Sequence, residues 1–388
     1  MNASCDVAVI GAGVFGAWTA WHLQRAGQRV LLIDKYGPAN ARASSSGETR
    51  VIRTAYGSDA IYTRMAQRSL HKWKEFFARI ECPGLFRETG VLWMAEAADA
   101  AVTHSIAALE WLGIPHEVLD STALAQRYPQ IAVPPGGWAL FEPESGGLMA
   151  RRAVQAVVDD CLRHGAELRI DEVLALHGDV RRGEGHLEEI TTASGDTIRA
   201  GRFVFACGPW LGSVLPDVLG GRIFPTRQEV FYFGIAAGDC RFASPAMPIW
   251  LDFGRTYYGC PDIEGRGFKL ACDAHGVAID PDSAERVPTP ERIAHARAFL
   301  ALRFPSLADA PLLGAEVCQY ENTSNGDFVI DRHPTFDNVW IAGGGSGHGF
   351  KHGPAVGEYL AQHMLDGRPV EPRFSLATKT TVQKREVH

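Results

Sequence analysis

The first thirty-four residues constrain the fold more than any other part of the chain. Val7–Ile10 is a short apolar run, GAGVFG follows at Gly11–Gly16, Ala12–Ala26 has helical character, and a second apolar run, Arg29–Asp34, ends in an acid. A buried strand, a glycine turn, a helix and a second strand make a β-α-β unit of ordinary length. In a GxGxxG turn each glycine has its own task. One permits the tight turn, one lets the backbone approach a pyrophosphate, and one lets helix and strand pack closely. The helix start then offers unpaired N–H groups and a positive dipole end to the phosphates. Asp34 follows Gly16 by 18 residues, where an acidic side chain meets a ribose hydroxyl. The unit therefore predicts a dinucleotide site that includes Gly11, Gly13, Val14, Phe15, Gly16, Asp34 and Lys35. The motif alone leaves FAD and NAD open. Its place at the N-terminal end of the sequence points to FAD.

Beyond Asp34 the chain alternates between two characters. Tyr36–Gly47 is rich in Gly, Pro, Ala and Ser, and Ile61–Ile80 reads as an amphipathic helix. Val91–Met94 is strand-like, Asp99–Leu112 and Met149–His164 are helical, and Glu167–Ile170 and Arg202–Ala206 are strands. Gln228–Phe233 and Thr256–Lys269 alternate as an antiparallel sheet would, and Thr289–Arg303 is a helix. The tail returns to α/β character, with a strand at Val339–Ala342, a glycine-rich turn at Gly343–Gly349 and a helix at Pro354–Leu365. The pattern predicts a doubly wound α/β domain, discontinuous over residues 1–85, 146–215 and 312–388. A second domain on a mostly antiparallel sheet is inserted as 86–145 and 216–311.

Composition excludes several function classes. Net charge is −7, and the basic pairs Arg151-Arg152 and Arg181-Arg182 are short, so nucleic acid and anionic membrane are not expected partners. No apolar run is long enough to span a bilayer, and no signal peptide precedes Val7. Eight cysteines without a CxxC read as reduced thiols, and the expected location is cytoplasmic. His348 and His352 are four apart but lack a third ligand, so no metal is expected. Ser346 sits among glycines without a GxSxG pattern, which removes the hydrolase reading.

Further segments carry a resemblance. SSSGETRVIRTAYG (Ser44–Gly57), RETGVLWM (Arg87–Met94), FEPESGGL (Phe141–Leu148), ACGPW (Ala206–Trp210), YYGCPDIEGRGFKL (Tyr257–Leu270), VCQY (Val317–Tyr320) and GGSGHGFKHGPAVGEYL (Gly344–Leu360) occur in order. Together with the N-terminal unit they resemble the monomeric sarcosine oxidase family, within the D-amino-acid-oxidase-like flavoenzymes. The resemblance covers nearly the whole chain and implies an FAD enzyme. Such an enzyme oxidises the secondary amine of a small amino acid, reduces O₂ to H₂O₂, and works as a monomer. It implies further flavin contacts at Ser44, Ser45, Ser46, Cys207, Gly208, Trp210, Gly344, Gly345, Gly347, His348 and Gly349. Cys318 falls where the family often attaches the flavin through a thioether.

An amino-acid substrate brings a carboxylate, and holding it requires fixed positive charge. Arg53 and Lys351 match the family's carboxylate pair. A cation beside the start of a helix is otherwise unfavourable, which also marks Lys351 as functional. The resemblance gives Lys269 a part in O₂ reduction and Tyr258 a place over the substrate. Tyr320 lies two residues from Cys318, so on a strand both face one side. Arg50 is expected close to the flavin, where its charge would favour the neutral, oxidisable amine.

Three positions depart from the family: Asp273, Ser45 and Ser46 each stand where its sarcosine enzymes carry histidine. These changes point to a substrate other than sarcosine, with Asp273 meeting a further polar group. The alternative reading is a related flavin oxidase or dehydrogenase acting on a primary amino acid or imino acid. An FAD-binding subunit without amine chemistry is disfavoured by the presence of Arg53, Lys269 and Lys351 together.

Overall fold

The computed structural model describes residues 3–96, 99–177 and 185–384; the Arg181-Arg182 pair lies outside them. The first sheet runs, edge to edge, Val329–Arg332, Val339–Gly343, Thr197–Phe205, Ala3–Ile10, Val30–Asp34 and Glu167–Ile170. Its four central pairings are parallel; Val329–Arg332 and the side strand Glu189–Thr191 pair antiparallel. Such strands are buried on both faces, which explains the unbroken apolar runs in the sequence. One face carries the helices Val14–Arg25, Ala60–Arg79, Ala150–Arg163 and Gly353–Asp366 over a core that includes Val9, Leu32, Trp73, Val157 and Leu360.

The glycines of the opening turn meet their predicted constraints. Gly11 has φ +102°, and a Cβ there would lie 2.3 Å from the Ala206 carbonyl oxygen. A Cβ on Gly16 would lie 1.8 Å from the Gly11 carbonyl oxygen, so helix and strand touch at their backbones. The C-terminal helix repeats the device. Gly353 and Gly357 lie on one helical face, and Cβ atoms there would stand 2.6 Å from Val14 Cγ2 and 2.5 Å from the Trp18 carbonyl carbon. Two helices thus cross at backbone contact, and the short turn Phe350–His352, with Lys351, lies against the helix Ala60–Arg79 and the strand Arg50–Ile52.

The second sheet has eight strands in the order Leu312–Asn322, Phe224–Phe233, Phe268–Cys272, Tyr257–Cys260, Ile249–Asp252, Val91–Ala95, Trp138–Glu142 and Glu117–Leu119. All pairings are antiparallel except that between Ile249–Asp252 and Val91–Ala95. Alternation along its strands sorts the side chains. Phe231, Phe233, Trp250, Phe268 and Leu270 enter a core shared with the helix Pro290–Arg303. Val230, Tyr232, Ala271 and Tyr258 cluster apart from that core. A small third sheet joins Arg50–Ile52, Gly146–Leu148 and Phe86–Arg87.

Two stretches depart from the expected domain division. Leu312–Asn322, assigned by sequence to the dinucleotide domain, pairs along its whole length with Phe224–Phe233 of the second sheet. Residues 216–223, assigned to the inserted domain, send Leu219 and Ile223 into the core beneath the first sheet. For the strand the reason is that partnership is a long-range choice which local pattern does not encode; for 216–223 it is that the short helix Pro216–Leu219 packs on the first sheet before the next strand begins at Phe224.

A methyl group at Gly16 has nowhere to go, because its neighbour is backbone. Gly16→Ala is therefore expected to cost about 1–3 kcal/mol by overpacking, read as a lowered midpoint in a thermal melt. An unchanged midpoint would show that the turn relaxes freely.

Candidate active site

Residues of both main sheets line one continuous cavity. Its wall includes Gly11, Gly13, Val14 and Phe15 of the glycine turn, Asp34 and Lys35, Ser44, Ser45 and Arg50, and Cys207, Gly208 and Trp210. It continues past Gly345, Gly347 and Gly349 to Tyr258, Cys318 and Tyr320. Gly16, Ser46, Arg53, Lys269, Asp273, Gly344, His348 and Lys351 are set back from this wall.

At the glycine-turn end, Ser45 Oγ accepts the Val14 N–H at 3.0 Å, satisfying one of the open donors at the helix start. The Asp34 oxygens accept N–H groups from Ala12 at 2.7 Å and Tyr36 at 2.9 Å. Asp34 was expected to meet a ribose hydroxyl; its first task is to fix the turn, and a carboxylate with four lone-pair sites keeps acceptor capacity towards the cavity. Lys35 was expected at the cofactor. It lines the cavity, where its Nζ pairs with Glu172 at 2.9 Å and Asp282 at 3.1 Å. Trp210 Nε1 also donates to Asp282, at 3.0 Å. Gly347, at φ +81°, leaves only 2.8 Å between a hypothetical Cβ and the Tyr320 ring. The length of the cavity, its glycine floor and the helix start at one end suit FAD.

At the other end the groups are reactive. Arg50 Nη2 donates to the Ser44 carbonyl at 3.0 Å and lies 3.5 Å from Cys318 Sγ, placing a fixed positive charge against the sulfur. Burial lowers the Arg50 pKa, but Cys318, Tyr258, Tyr232 and Tyr320 outweigh it and the net shift is upward. Lys269 Nζ donates to the Thr49 carbonyl at 2.8 Å and to its hydroxyl at 3.2 Å, and burial pulls its pKa down. Tyr320 donates its hydroxyl to Asp273 at 2.7 Å. Burial, then the Asp273 charge, pushes both Tyr258 and Tyr320 up, so both phenols stay protonated.

Behind this end stand two more cations. Arg53 and Lys351 are 4% and 5% exposed. The Arg53 guanidinium donates to the Ala55 carbonyl and lies 4.5 Å from the Tyr56 ring centre and 4.9 Å from that of Trp93. Lys351 Nζ donates to the Tyr56 hydroxyl at 2.7 Å and the His348 carbonyl at 3.1 Å. Burial, then Arg53, holds the Lys351 pKa well below the ordinary lysine value. Among the described residues neither cation has a carboxylate within ion-pair distance. His348 and His352 both reach the Tyr56 hydroxyl. Among the described residues no cluster of three potential metal ligands occurs.

With this geometry the comparisons agree. The family model for FAD dependent oxidoreductase matches residues 6–363. Monomeric sarcosine oxidase of Bacillus sp. (strain NS-129) is 33% identical over 376 residues, covering 95% of each chain. N-methyl-L-tryptophan oxidase of Citrobacter koseri is 33% identical over 380 residues, covering 96% of each. The chain belongs to the FAD-dependent oxidoreductases related to monomeric sarcosine oxidase. A solved structure of L-proline dehydrogenase from P. horikoshii shares the fold, with TM-score 0.82 and 22% identity, covering 97% of this chain and 98% of that one. The expected doubly wound α/β domain with an inserted antiparallel sheet is thus the architecture of this oxidoreductase.

Three residues of the oxidoreductase escaped sequence reasoning. Tyr56 lies inside the quoted TAYG segment, but its partners are 292–296 positions away. Glu142 accepts the N–H groups of Thr54 at 2.7 Å and Ala55 at 3.2 Å, and so fixes the segment carrying Arg53. Glu321, in the cavity wall, accepts the Gly344 N–H at 2.8 Å. Its neighbour Tyr320 gave the only sequence signal.

Burial raises Glu321 to about 7, partly offset by the Gly344 and Gly345 N–H groups. A folded-state pKa above the unfolded value means that this contribution to stability is present below the ordinary carboxylate range and lost as pH rises through about 7. Glu321→Gln keeps the acceptor and removes the titration. The variant is expected to melt higher than the parent at pH 8, with the gap closing by pH 5. A gap independent of pH would contradict the assignment.

Proposed function

We propose that the chain is an oxidase of amino acids carrying a secondary amine, N-methylated or cyclic, with O₂ as electron acceptor. The observation that carries this reading is the buried Arg53–Lys351 pair, with no carboxylate at ion-pair distance among the described residues. Burying unpaired charge is costly unless a partner arrives, and a substrate carboxylate is such a partner. The printed names of the relatives support it: sarcosine and N-methyl-L-tryptophan differ in side chain and share a carboxylate and an N-methyl amine.

When bound, FAD takes a hydride equivalent from the carbon beside nitrogen and passes two electrons to O₂, giving H₂O₂. On this reading the glycine turn, Ser45 and Gly347 hold it, and Cys318 is its point of covalent attachment. Arg53 and Lys351 grip the carboxylate. Tyr258 and Tyr320, protonated and in the cavity wall, orient the amine. Arg50 disfavours a positive charge on nitrogen and so favours the free amine. Lys269 supplies a buried cation for the developing charge on oxygen. The imine leaves and hydrolyses in water. Asp273, bonded to Tyr320, tunes substrate choice from behind that tyrosine. Eight free cysteines favour a reducing, cytoplasmic setting, and the Bacillus relative's name favours a monomer.

Anaerobic mixing with sarcosine, larger N-methyl amino acids, proline, pipecolate and primary D-amino acids tests the reaction. Bleaching of the flavin by secondary amines, reversed by air with H₂O₂ formed, is expected, and Asp273→Asn should reorder the substrates. No bleaching by any compound would sink the reading.

Attachment is tested separately. Acid-precipitated protein should stay yellow, and Cys318→Ser should release its flavin to the supernatant. Complete release from the unaltered protein would refute the thioether.

A further inference from the structure

Tyr56 stands between the two buried cations. It follows Arg53 by three residues, ahead of the helix Ala60–Arg79, and is itself buried. Its ring carries the Arg53 guanidinium on its face, and the Lys351 ammonium lies 5.1 Å from the same ring centre. The Arg53 contact is attractive because the ring face is negative, and Lys351 meets the ring at its hydroxyl end.

The protons around its hydroxyl can be placed. His348 Nε2 lies 3.1 Å from the Gly326 carbonyl, which can only accept, so Nε2 carries the hydrogen. In a neutral ring Nδ1 is then an acceptor, and the Tyr56 O–H, 3.2 Å away, donates to it. A phenol has one proton. His352 Nε2, 2.8 Å from the same oxygen, must therefore donate, as must Lys351 Nζ. That leaves His352 Nδ1 unprotonated, and it has no hydrogen-bond partner among the described residues. The Tyr56 oxygen accepts two hydrogen bonds and donates one, which fills its capacity. Lys351 spends two of its three N–H groups, on Tyr56 and the His348 carbonyl, and keeps one.

We propose that Tyr56 is the positioning residue of the carboxylate site: its ring and hydroxyl hold Arg53 and Lys351 in one cluster, with one lysine N–H and the arginine fork left for the anion. The proposal rests on the reading of that pair as the carboxylate site. Without the hydroxyl, Lys351 keeps a single anchor and its ammonium is free to turn away.

The test measures binding to the holoenzyme rather than turnover. Methoxyacetate is sarcosine with oxygen in place of the amine, and methoxyacetamide is its uncharged counterpart. Their dissociation constants, read from the flavin absorbance or by calorimetry, give a carboxylate-to-amide preference. Tyr56→Phe should reduce that preference by about tenfold, the scale of a lost hydrogen bond to a charged group. In a Lys351→Met background the same change should add nothing, because the interaction it removes is already gone. A parent enzyme with no preference would overturn the carboxylate site itself, and the role of Tyr56 with it. A preference that survives Tyr56→Phe, or losses that add in the double variant, would overturn Tyr56 alone. Should Tyr56→Phe not fold, a crystal structure of the parent with methoxyacetate decides. Lys351 Nζ still on Tyr56 and touching the carboxylate supports the proposal; Nζ swung off Tyr56 overturns it.

Discussion

Two cations, Arg53 and Lys351, are buried with no carboxylate at ion-pair distance among the described residues, and much of the surrounding structure exists to keep them where they are. Arg53 sits on a segment whose backbone N–H groups are clamped by Glu142 from the second sheet. Lys351 sits in a turn whose carbonyl accepts Trp73 Nε1 at 3.0 Å, and the turn leads into the helix that crosses the first at Gly353 and Gly357. Neither clamp forms an ion pair with the cations among the described residues, and Glu142 acts on Lys351 only from a distance. Glu142 spends its oxygens on Thr54, Ala55 and Ser145 rather than on Arg53. The arrangement favours an anion from outside. The overall charge of −7 gives no hint of it, because the sign of the surface and that of the interior are set independently.

The second sheet supplies the other side of the site by register. Tyr258 lies opposite Ala271, Val230 pairs with both Ala271 and Glu316, and Gln228 lies opposite Cys318. Gln228, Val230, Tyr258, Ala271, Cys318 and Tyr320 all reach the cavity wall. Residues one position off, such as Phe231 and Leu270, go to the core with the helix Pro290–Arg303. A slip of one residue would exchange the two sets, so the apolar face that stabilises the sheet also fixes which side chains meet the cofactor cavity.

Legibility followed range. The opening unit was readable because everything it needs is local: the turn, the helix start and the close approach of Gly16 to Gly11 lie within a few residues. The strands Val91–Ala95 and Phe224–Phe233 were readable as strands, since alternation is local too, and only their ends shifted. The membership of Leu312–Asn322 in the second sheet was not, because its partner lies some ninety residues away and the pattern names no partner. Site residues behaved alike. Arg53 and Lys351 were found by motif and do lie on one tyrosine. Lys35 was placed with Asp34 at the cofactor, and it lines the cavity, but its ion pairs with Glu172 and Asp282 were not legible. Tyr56 gave no signal, since its value comes from His348, His352 and Lys351 near the other end of the chain.

The two buried carboxylates near the cavity answer the cations in different ways. Asp273 accepts from Tyr320 and is felt electrostatically by Tyr258 and Lys351. It sets a negative charge beside the tyrosines and within electrostatic reach of Lys351. On the proposed reading the substrate carboxylate meets Arg53 and Lys351, and its uncharged nitrogen lies on the tyrosine side. Among the described residues Glu321 has no cation at ion-pair distance; backbone N–H groups hold it, and burial drives it towards the neutral acid. One carboxylate is therefore held by a phenol with cations at a distance, and the other by backbone N–H groups and a raised affinity for its proton. The difference comes from their neighbours, not from residue type, and it is why a polar residue beside a motif could be noticed in the sequence while its charge state could not.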